Sequence, residues 1–573
     1  MEEKAEQRLR FGIMCGGTVF PAWQALCLEE LLRLDHVEPA LLIIERSVPR
    51  PKSTPWQKVA KLLKGNISLW DIYEHYILRH PSAATRPVDM ADRLRHVPAM
   101  QCQVVTRGKF SQYFHEKDIA EIREYHLDFI LRFAFGIICG EILSVPRYGI
   151  WSFHHDDLDR YRGGPPGFWE LYHGNPLTGA VLQRLTDRLD GGIVLHRGYF
   201  GTIRESYVAN CDSVHLGSTS WPARICREIR LGNTAHLEAA PSPTTAPVYH
   251  NPNNYQTIMF FCKVARSRIK GKFDWYFRNE QWNVGVVNKS VSAFLLPHQD
   301  LEVAWFPKQE RCLFRADPFG VLVGGRPTVL VENYDYRTEK GVIAALECGD
   351  GVPPKPLCVA MDLPYHLSYP YLLEWDGGVY CVPESRKARQ VNLYRATEFP
   401  RKWDKVATLI DGIEAVDPTI IHHGGRWWLF CTCAPDYGAN LHAWHAESLL
   451  GPWQPHALNP LKSDIRSSRP AGTPFVHDGM LIRPAQDCSL GYGTRVVLNR
   501  VLRLTPTDFD EETVATIGPA IDRAYGRGIH TISALGNRTL VDGKRVVFIP
   551  ALFWARVRTT LTAPWSRTHG QSC

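Results

Sequence analysis

Apolar runs of strand length, separated by glycine-rich turns and helix-length segments, fill the first third of the chain. Residues 11–15 and 129–135 are largely apolar, as in buried strands, and residues 148–153 form a further run that leads to His154. The first run enters a Gly-Gly turn and then an apolar, helix-length stretch through residues 23–32. This alternation predicts a Rossmann-like α/β domain built around a parallel sheet.

The segment after His154 predicts a helix and one more strand. Residues 167–173 follow a Gly-Gly-Pro-Pro turn and predict a helix, and residues 179–185 predict a strand that leads to Asp187 and Asp190. Open α/β sheets bind ligands at the carboxyl ends of their strands, which is where the sequence places His154. A histidine and carboxylates are therefore expected at neighbouring strand ends.

A different pattern, in which short apolar and aromatic runs follow glycine turns, recurs in the second half of the chain. Each copy is typical of a hairpin turn that enters a strand. The spacing of roughly 50 residues is that of propeller blades. The copies lie at residues 324–331, 375–382, 423–430, 477–482 and 541–548. Five copies predict a five-bladed β-propeller.

These two patterns predict a multidomain chain, because a single hydrophobic core does not extend over 573 residues. Pro, Ser, Thr and Ala dominate the stretch before the repeats, a composition typical of a linker. The predicted parts are an α/β domain at residues 1–235, a linker at 236–254, an all-β five-bladed propeller at 255–560 and a flexible tail at 561–573.

Composition and charge narrow the class of protein. Hydrophobic residues at 45% and charged residues at 22% are typical of soluble globular domains, and a net charge of +7 without a Lys/Arg block predicts no nucleic-acid surface. The 15 cysteines include no Cys-x-x-Cys pair and indicate free thiols in a reducing cytoplasm. The charged first residues and the lack of an apolar run of about 20 residues predict no secretory signal and no membrane span. A cytoplasmic location is expected, and the oligomeric state stays open.

The strongest chemical signal is His154 with Asp190 about 36 residues downstream, each beside a Gly/Pro-rich turn. Such a pair suits proton transfer at an acyl carbon. The strings Ser152-Phe-His154, Arg160-Tyr-Arg-Gly-Gly-Pro165 and Leu189-Asp-Gly-Gly192 resemble those of the folate-dependent formyltransferase family. That family includes enzymes that formylate glycinamide ribonucleotide, methionyl-tRNA and nucleotide-linked amino sugars. The resemblance covers roughly residues 8–205.

The resemblance implies a formyl transfer in which an amine attacks the formyl carbon of 10-formyltetrahydrofolate, the donor substrate. His154 would accept or shuttle the proton, and Asp190 would orient its imidazole and tune the pKa. Where the family has an asparagine thought to hold the oxyanion, this chain has Ser152. Serine keeps one hydroxyl donor but has a shorter reach, so the stabilisation of roughly 3 kcal/mol that an oxyanion donor contributes is expected to be weakened or to be supplied by His155 instead.

The same resemblance implies where the two substrates bind. The pteridine pocket is expected at Phe135, Gly136, Ile137, Cys139, Leu185, Asp187 and Leu189. The acceptor is expected at Gly16, Gly17, Arg162, Gly163 and Gly164, although a tight turn without a ligand explains the first two equally well. The loop after His154 is rich in Asp and is either a solvated turn or a patch for the acceptor's amine. No metal is expected there, because adjacent side chains rarely converge on one ion.

Acidic residues precede several of the repeated hairpins, at residues 316–318, 383–385 and 416–419. These strings resemble the propeller of plant glucosamine inositolphosphorylceramide transferases and the five-bladed furanosidase family of glycoside hydrolases. The resemblance to the hydrolases implies a central carboxylate set of Asp317, Glu384 and Asp417. Arg469 and Pro470 crowd the place where the hydrolases present their acid, so glycan or nucleotide-sugar binding is favoured over hydrolysis. A role in turns alone explains some copies.

Both halves together predict an enzyme of biosynthesis, a 10-formyltetrahydrofolate-dependent N-formyltransferase. Its small-molecule acceptor is expected to be the amine of an amino sugar or sugar-bearing natural product, such as a nucleotide-sugar or glycan held by the propeller. Two alternatives stay open. One is glycoside hydrolase or glycosyltransferase activity in the propeller, and the other is hydrolysis of 10-formyltetrahydrofolate with water as the nucleophile.

Overall fold

A computed structural model describes residues 8–46, 68–108, 111–188, 191–296, 301–349, 354–434, 436–518, 524–550, 553–554 and 556–557. The chain divides into an N-terminal unit, Met1–Ser267, and a C-terminal unit, Arg268–Cys573. This division falls within the helix Asn254–Phe277 rather than in the stretch at 236–254 predicted to be a linker. The predicted tail at 561–573 lies outside the described residues.

A seven-stranded sheet organises the N-terminal unit. Five strands run parallel and two at one side run antiparallel, as expected for a Rossmann-like core with an antiparallel extension. In spatial order the strands are Ile193–Gly201, Leu177–Arg184, Ile150–His154, Phe129–Arg132, Leu9–Cys15, Val37–Glu45 and Ala99–Cys102.

Aromatic side chains fix the register of three parallel strands in this sheet. The rings of Phe11 and Phe129 stack at 5.2 Å between centroids, and those of Phe129 and Trp151 at 3.9 Å. All three side chains are fully buried. Cross-strand aromatic pairs stabilise a sheet beyond the area they bury. They align the three strands whose carboxyl ends carry the predicted chemistry.

Helices and small sheets surround this sheet. The helical segments are Ala22–Leu32, Leu69–Tyr73 with Glu74–Leu78, Ala91–Leu94, Glu116–Arg123, Glu141–Ser144, Phe168–His173, Tyr207–Gly217, Trp221–Arg230 and Ala235–Glu238, followed by Asn254–Phe277. The small sheets pair Val19–Pro21 with Pro87–Asp89, Arg162–Gly163 with Val248–Tyr249, and Ser111–Phe114 with Val104–Arg107 and Ile137–Ile138. None of the helices within the described ranges is both long enough and apolar enough to cross a membrane.

Most predicted elements of this unit are present with shifted ends. The strand predicted at 129–135 ends at Arg132, because the next residues leave the sheet as a loop. The stretch predicted to be a linker is also partly ordered into local structure. It includes Ala235–Glu238 and Val248–Tyr249, the second of which pairs with Arg162–Gly163.

The C-terminal unit contains five antiparallel sheets within its described residues. The first four are each built from consecutive strands, and the fifth combines the first and last strands of the unit. The strands are Leu313–Val323, Arg326–Asp335, Lys340–Glu347 and Lys355–Met361; Ser368–Trp375, Gly378–Glu384, Gln390–Glu398 and Lys402–Asp411; Ala415–His423, Arg426–Cys433, Asp436–Ala446, Gln454–Pro455 and Lys462–Asp464; Phe475–His477, Met480–Asp487, Arg495–Thr505 and Asp508–Ile517; and Val303–Trp305, Arg278–Val287, Arg538–Phe548 and Ile532–Leu535. Short helical turns lie at Val291–Leu295 and Arg386–Ala388.

Four of the five predicted hairpin turns lie between the first and second strands of a sheet. Gly325, Gly377, Gly425 and Gly479 occupy these turns with positive φ, which glycine adopts without steric cost. The prediction of a turn in the fifth copy was wrong, because Asp542 and Gly543 lie inside the strand Arg538–Phe548. The turn of that sheet is at Gly536 instead, which also has positive φ.

Candidate functional site

Three parallel strands of the N-terminal unit bring predicted site residues to one edge of the sheet. Gly16 and Gly17 follow the strand Leu9–Cys15, Arg132 ends the next strand, and His154 ends Ile150–His154. Their strands are neighbours and parallel. This edge is where an open α/β sheet forms its ligand crevice.

His154 is held in one tautomer. Its side chain is 9% exposed, and its Nε2 lies 3.2 Å from the backbone oxygen of Tyr161. A carbonyl oxygen only accepts hydrogen bonds, so Nε2 carries the proton and Nδ1 is the basic nitrogen. The Oδ2 of Asp156 lies 3.7 Å from the same Nε2. In this tautomer the lone pair of the imidazole lies on Nδ1.

Ser152, the predicted oxyanion residue, is bound to Arg132. The guanidinium Nη1 donates to Ser152 Oγ at 2.8 Å, and Nη2 donates to the carbonyl oxygens of Phe135 at 2.9 Å and Gly136 at 2.6 Å. Arg132 thus joins the predicted oxyanion residue to the predicted pteridine loop. No role was predicted for Arg132 from the sequence, although a charged residue at the end of a buried strand is a signal for such a contact.

The two segments predicted to hold the pteridine contact each other. Asp187 Oδ1 accepts a hydrogen bond from the backbone N–H of Gly140 at 3.0 Å, next to Cys139. Leu185 packs in the same apolar cluster as Phe135. Gly136 and Ile137 complete this loop, whereas Leu189 and Asp190 lie outside the described residues.

Asp187 does not share a strand end with His154, contrary to the prediction. The strands Ile150–His154 and Leu177–Arg184 are antiparallel, with His154 opposite Val181. The residues after Arg184 therefore lie near the beginning of the strand Ile150–His154, whereas His154 is at its end. Strand direction is set by the connection between strands and is not visible in the local hydrophobic pattern.

The predicted acceptor turn is paired with the stretch predicted to be a linker. Arg162 and Gly163 form a parallel pair with Val248–Tyr249, and Arg162 Nε donates to Ala246 O at 2.6 Å. A Cβ on Gly163 would lie 2.1 Å from Tyr249 O, so only glycine permits this approach. The backbone of this turn is thus engaged in an internal contact, and a role for Arg162, Gly163 and Gly164 in acceptor binding stays a prediction.

Residues 242–249 also connect the loops on either side of the site. Arg188 Nη2 donates to Thr244 O at 2.8 Å, and Thr244 Oγ1 donates to Leu158 O at 2.8 Å. The backbone N–H of Ser242 donates to Gly192 O at 2.9 Å. This segment fixes the loop after His154 relative to the loop after Leu185.

A buried carboxyl group lies next to the His154 loop. Glu170 is fully buried; its Oε1 accepts from the backbone N–H of Asp157 at 3.2 Å, and its Oε2 has no hydrogen-bond partner among the described residues. Burial raises the pKa of Glu170 to about 7, partly offset by hydrogen bonds that include the Asp156 side chain. Glu170 is therefore largely protonated below neutral pH.

Glu170 is expected to make stability depend on pH. Its folded pKa is higher than its unfolded value, so its contribution is complete below about pH 4.5 and is lost as the pH rises to about 7. Compared with Glu170→Gln, the wild type should lose about 3 kcal/mol of unfolding free energy across this interval. Urea unfolding of both proteins at several pH values measures the difference. A constant difference at all pH values would contradict this assignment.

In the C-terminal unit, a β-bulge recurs in the first strand of three sheets. Asp317, Tyr369 and Asp417 each have positive φ and precede a proline, and the register of the first strand shifts at each of them. Arg469 precedes Pro470 at the corresponding place before the fourth sheet. Tyr369 was missed in the sequence analysis, although its Pro370 follows the same pattern as the two Asp-Pro pairs.

Hydrogen bonds connect these side chains from one sheet to the next. Asp317 accepts from Thr531 Oγ1 at 2.7 Å and from the Tyr369 backbone N–H at 3.2 Å. Tyr369 Oη lies 2.9 Å from Thr419 Oγ1 and accepts from the Gly472 backbone N–H at 2.7 Å. All five sheets are thus linked through a buried polar cluster.

Asp417 is neutralised within this cluster. Arg469 Nε donates to its Oδ2 at 2.6 Å, and Gln486 Nε2 donates to the same oxygen at 2.8 Å. The Asp417 backbone N–H donates to Glu384 Oε2 at 3.2 Å. The structure therefore brings Glu384 and Asp417 together, and Asp317 joins them through Tyr369.

Burial raises the pKa of other carboxyl groups in this polar cluster. It raises the pKa of Asp317 to about 6, against the effect of His530, and the pKa of Glu384 to about 8. Burial also raises the pKa of Glu332, which the sequence analysis did not single out. Glu384 is therefore protonated at neutral pH, beside an Asp417 that Arg469 neutralises.

Asp317, His530 and Asp542 form a group whose ligand-type atoms lie within 4.8 Å of one another. His530 Nδ1 lies 2.7 Å from Asp542 Oδ2, and its Nε2 lies 3.3 Å from Asp317 Oδ1. Burial lowers the pKa of His530, but the two carboxylates outweigh it and raise the pKa overall. A protonated imidazole between two carboxylates has no lone pair for a metal, so an ion triad fits this group.

Residues 300–524 match the family model described as "Glucosamine inositolphosphorylceramide transferase 1, N-terminal". Glucosamine inositolphosphorylceramide transferase 1 of Arabidopsis thaliana is 36% identical over 208 residues, which are 35% of this chain and 27% of that protein. The match thus spans about a quarter of this curated relative.

The N-terminal part is similar to formyltransferases. Methionyl-tRNA formyltransferase of Prochlorococcus marinus is 40% identical over 82 residues, which are 14% of this chain and 24% of that protein.

A family 117 glycoside hydrolase of the marine bacterium Zobellia galactanivorans is a structural neighbour, with 16% identity and a TM-score of 0.32 over 50% of this chain and 98% of that chain. The chain therefore joins a formyltransferase-like part to a region that matches the N-terminal domain of the glucosamine inositolphosphorylceramide transferase 1 family.

Proposed function

We propose that the N-terminal unit transfers a formyl group from 10-formyltetrahydrofolate to a primary amine. The observation that carries this proposal is the position of His154, oriented with a basic Nδ1 at the sheet edge that also holds Ser152 and Arg132. The similarity to methionyl-tRNA formyltransferase supports the reaction class.

The protein's own residues account for the proton transfers. The attacking amine forms a nitrogen–carbon bond to the formyl carbon and loses one proton, which His154 accepts at Nδ1. The same proton is returned to the departing folate nitrogen, so the protein ends unchanged. Ser152, bound to the Arg132 guanidinium, lies where positive charge stabilises a developing oxyanion. Asp190 keeps the orienting role that the family resemblance implies.

The residues present fit the donor. The loop at 135–139 and Asp187 meet at one junction, where backbone groups and a carboxylate suit a pteridine ring with several hydrogen-bonding positions. When bound, the donor supplies an activated formyl group and a nitrogen leaving group. Arg132 holds the carbonyls of Phe135 and Gly136 and so shapes this loop.

For the C-terminal unit we infer a five-bladed propeller that binds the sugar part of the acceptor. The five sheets, the contacts among all of them and the fifth sheet built from both ends of the unit support this arrangement. The match to a glucosamine inositolphosphorylceramide transferase domain supports a sugar ligand. Sugar binding is favoured over hydrolysis, because Arg469 and Gln486 donate hydrogen bonds to the Asp417 carboxylate. A carboxylate engaged in this way does not serve as the base of a hydrolase.

An amine-dependent assay tests this function. The purified protein is incubated with 10-formyltetrahydrofolate and a panel of amino sugars, nucleotide-linked amino sugars and simple amines, and tetrahydrofolate release is followed. The proposal expects release only when an amine is added, with amino sugars preferred. Release at the same rate without an amine would assign hydrolysis instead, and release of free sugar from a glycoside would assign the chemistry to the propeller.

Arg132→Met is expected to weaken donor binding about tenfold and to lower kcat further, because Ser152 and two loop carbonyls lose their common donor. Arg123→Met is the matched control, since Arg123 forms an exposed pair with Glu141 in the same unit. Equilibrium binding of the donor and steady-state kinetics separate the two effects. Equal behaviour of the two variants would remove Arg132 from the site.

A further inference from the structure

We propose that one exposed face of the helix Asn254–Phe277 binds a membrane surface that carries anionic lipid headgroups. This face combines an apolar stripe with basic residues along both of its borders. It has no part in the proposed formyl transfer, so membrane binding and formyl transfer are tested separately.

The apolar stripe follows the spacing of a single helix face. Its residues are three or four positions apart, which places them within about 80° of the helix circumference at about 3.6 residues per turn. All of them are exposed, with Ile269 at 70%, Tyr255 at 69% and Ile258 at 50%. Single apolar residues on a surface are ordinary, but a continuous stripe of them marks an interaction site. The stripe consists of Tyr255, Ile258, Cys262, Ala265, Ile269 and Phe273.

The packing of the helix does not account for this stripe. Phe260 and Val264 are buried and lie on the opposite side of the helix. They belong to a cluster that includes Trp70, Phe168 and Tyr207, and the rings of Phe260 and Phe168 stack at 4.5 Å. A helix that only packs on a core is expected to be polar on its outer face. The exposed stripe is therefore a second apolar face, in addition to the one that the core requires.

Basic residues border the stripe on both sides. Arg266 and Lys270 lie along one border. Arg268 and Lys272 lie along the other border, displaced from the stripe in the opposite direction around the helix, and all four are exposed. The acidic residue of this helix, Asp274, pairs at 2.9 Å with a basic residue just after the helix. The exposed face therefore carries a positive charge.

This combination favours an anionic membrane as the partner. An interfacial helix buries a narrow apolar face between the headgroups and the acyl chains, while Lys and Arg side chains extend to the headgroups. Tyr255 and Phe273 lie at the two ends of the stripe, about 27 Å apart along the helix axis. A lipid surface supplies acyl chains and negative charge along this whole length, whereas a protein partner would need acidic residues along both sides of one groove. A second copy of the helix would bring basic borders together, which disfavours self-association.

Sedimentation of the full-length protein with vesicles tests membrane binding. Vesicles of phosphatidylcholine alone are compared with vesicles of equal parts phosphatidylcholine and phosphatidylserine. Binding to the anionic vesicles should be at least about tenfold stronger. It should weaken as salt is added, because salt screens the headgroup charges. Alkylation of the exposed Cys262, followed by mass spectrometry of its peptide, should slow when the anionic vesicles are present.

Two variants assign the binding to this face. Ile269→Glu should lower the vesicle partition coefficient about tenfold or more, since a charged side chain replaces an apolar one among the acyl chains. Lys270→Glu should lower it about fivefold or more, because each basic residue near an anionic surface contributes roughly a factor of five. Both positions are exposed and Glu is a good helix former, so the fold is retained.

The matched controls lie outside this helix. Val476→Glu changes an exposed apolar residue, and Lys117→Glu changes an exposed lysine. Both should bind vesicles nearly as the wild type does. Equal binding of the wild type to both kinds of vesicle, no binding to either, or a loss in Ile269→Glu no larger than in Val476→Glu would overturn the proposal. A dimer that Ile269→Glu abolishes, without vesicle binding by the wild type, would assign the stripe to contact between copies and would overturn it as well.

Discussion

Replacing His154 by alanine is expected to lower kcat/KM for formyl transfer about a thousandfold while donor binding stays within a few-fold of the wild type. The imidazole is the group at this sheet edge whose tautomer leaves a basic nitrogen for the amine proton. Without it the amine proton has to leave through water, which is a slower route. Steady-state kinetics on the preferred amine and equilibrium binding of the donor measure the two effects.

His96→Ala is the control for this variant, because His96 is exposed in the same unit and accepts a hydrogen bond from the neighbouring Arg95 Nε at 2.9 Å. It should keep wild-type kinetics. Near-UV circular dichroism of both variants checks that the aromatic core is retained. If His154→Ala kept more than a tenth of the activity, another group would have to be the base and the mechanism above would be wrong.

Replacing Arg469 by methionine should destabilise the C-terminal unit by about 3 to 5 kcal/mol. Asp417 and Arg469 are both more than nine-tenths buried and joined at 2.6 Å, so the variant leaves a buried carboxylate without its charge partner. Arg469 also lies over the Tyr492 ring at 4.8 Å, a contact that methionine replaces only in part. Thermal and urea unfolding measure the loss.

Arg466→Met is the matched control, because Arg466 forms a partly exposed pair with Asp464 and should cost less than about 1 kcal/mol. A double variant, Arg469→Met with Asp417→Leu, should recover much of the loss, since no buried charge then remains unpaired. Equal stability of Arg469→Met and Arg466→Met would show that Asp417 is not held by a buried ion pair.

Patterns that are local in sequence predicted much of the fold. The strand that ends at His154 and the helix after the Gly-Gly-Pro-Pro turn are present within two residues, because apolar runs and turn residues act over a few positions. Four of the five repeated turns are present for the same reason. Asp542-Gly543 shows the limit of this signal, because the same dipeptide also fits inside a strand where Trp305 packs against the glycine.

Features that depend on distant residues were not predicted. The pairing of Val248–Tyr249 with Arg162–Gly163 joins segments about 85 residues apart, and composition alone indicated a linker there. Because Leu177–Arg184 runs antiparallel to the strand of His154, Asp187 lies beside Gly140 and not beside His154. Asp156 was noticed only as part of a charged loop, because its burial against Glu170 appears only in the folded chain.

The measurement that tests the central claim most directly follows an isotopically labelled formyl group. The protein is mixed with labelled 10-formyltetrahydrofolate and an amino sugar, and the acceptor is analysed by mass spectrometry and NMR. The account predicts the label on the acceptor nitrogen, matched by tetrahydrofolate and absent with His154→Ala. Label recovered only as free formate, or no turnover with any amine, would contradict it.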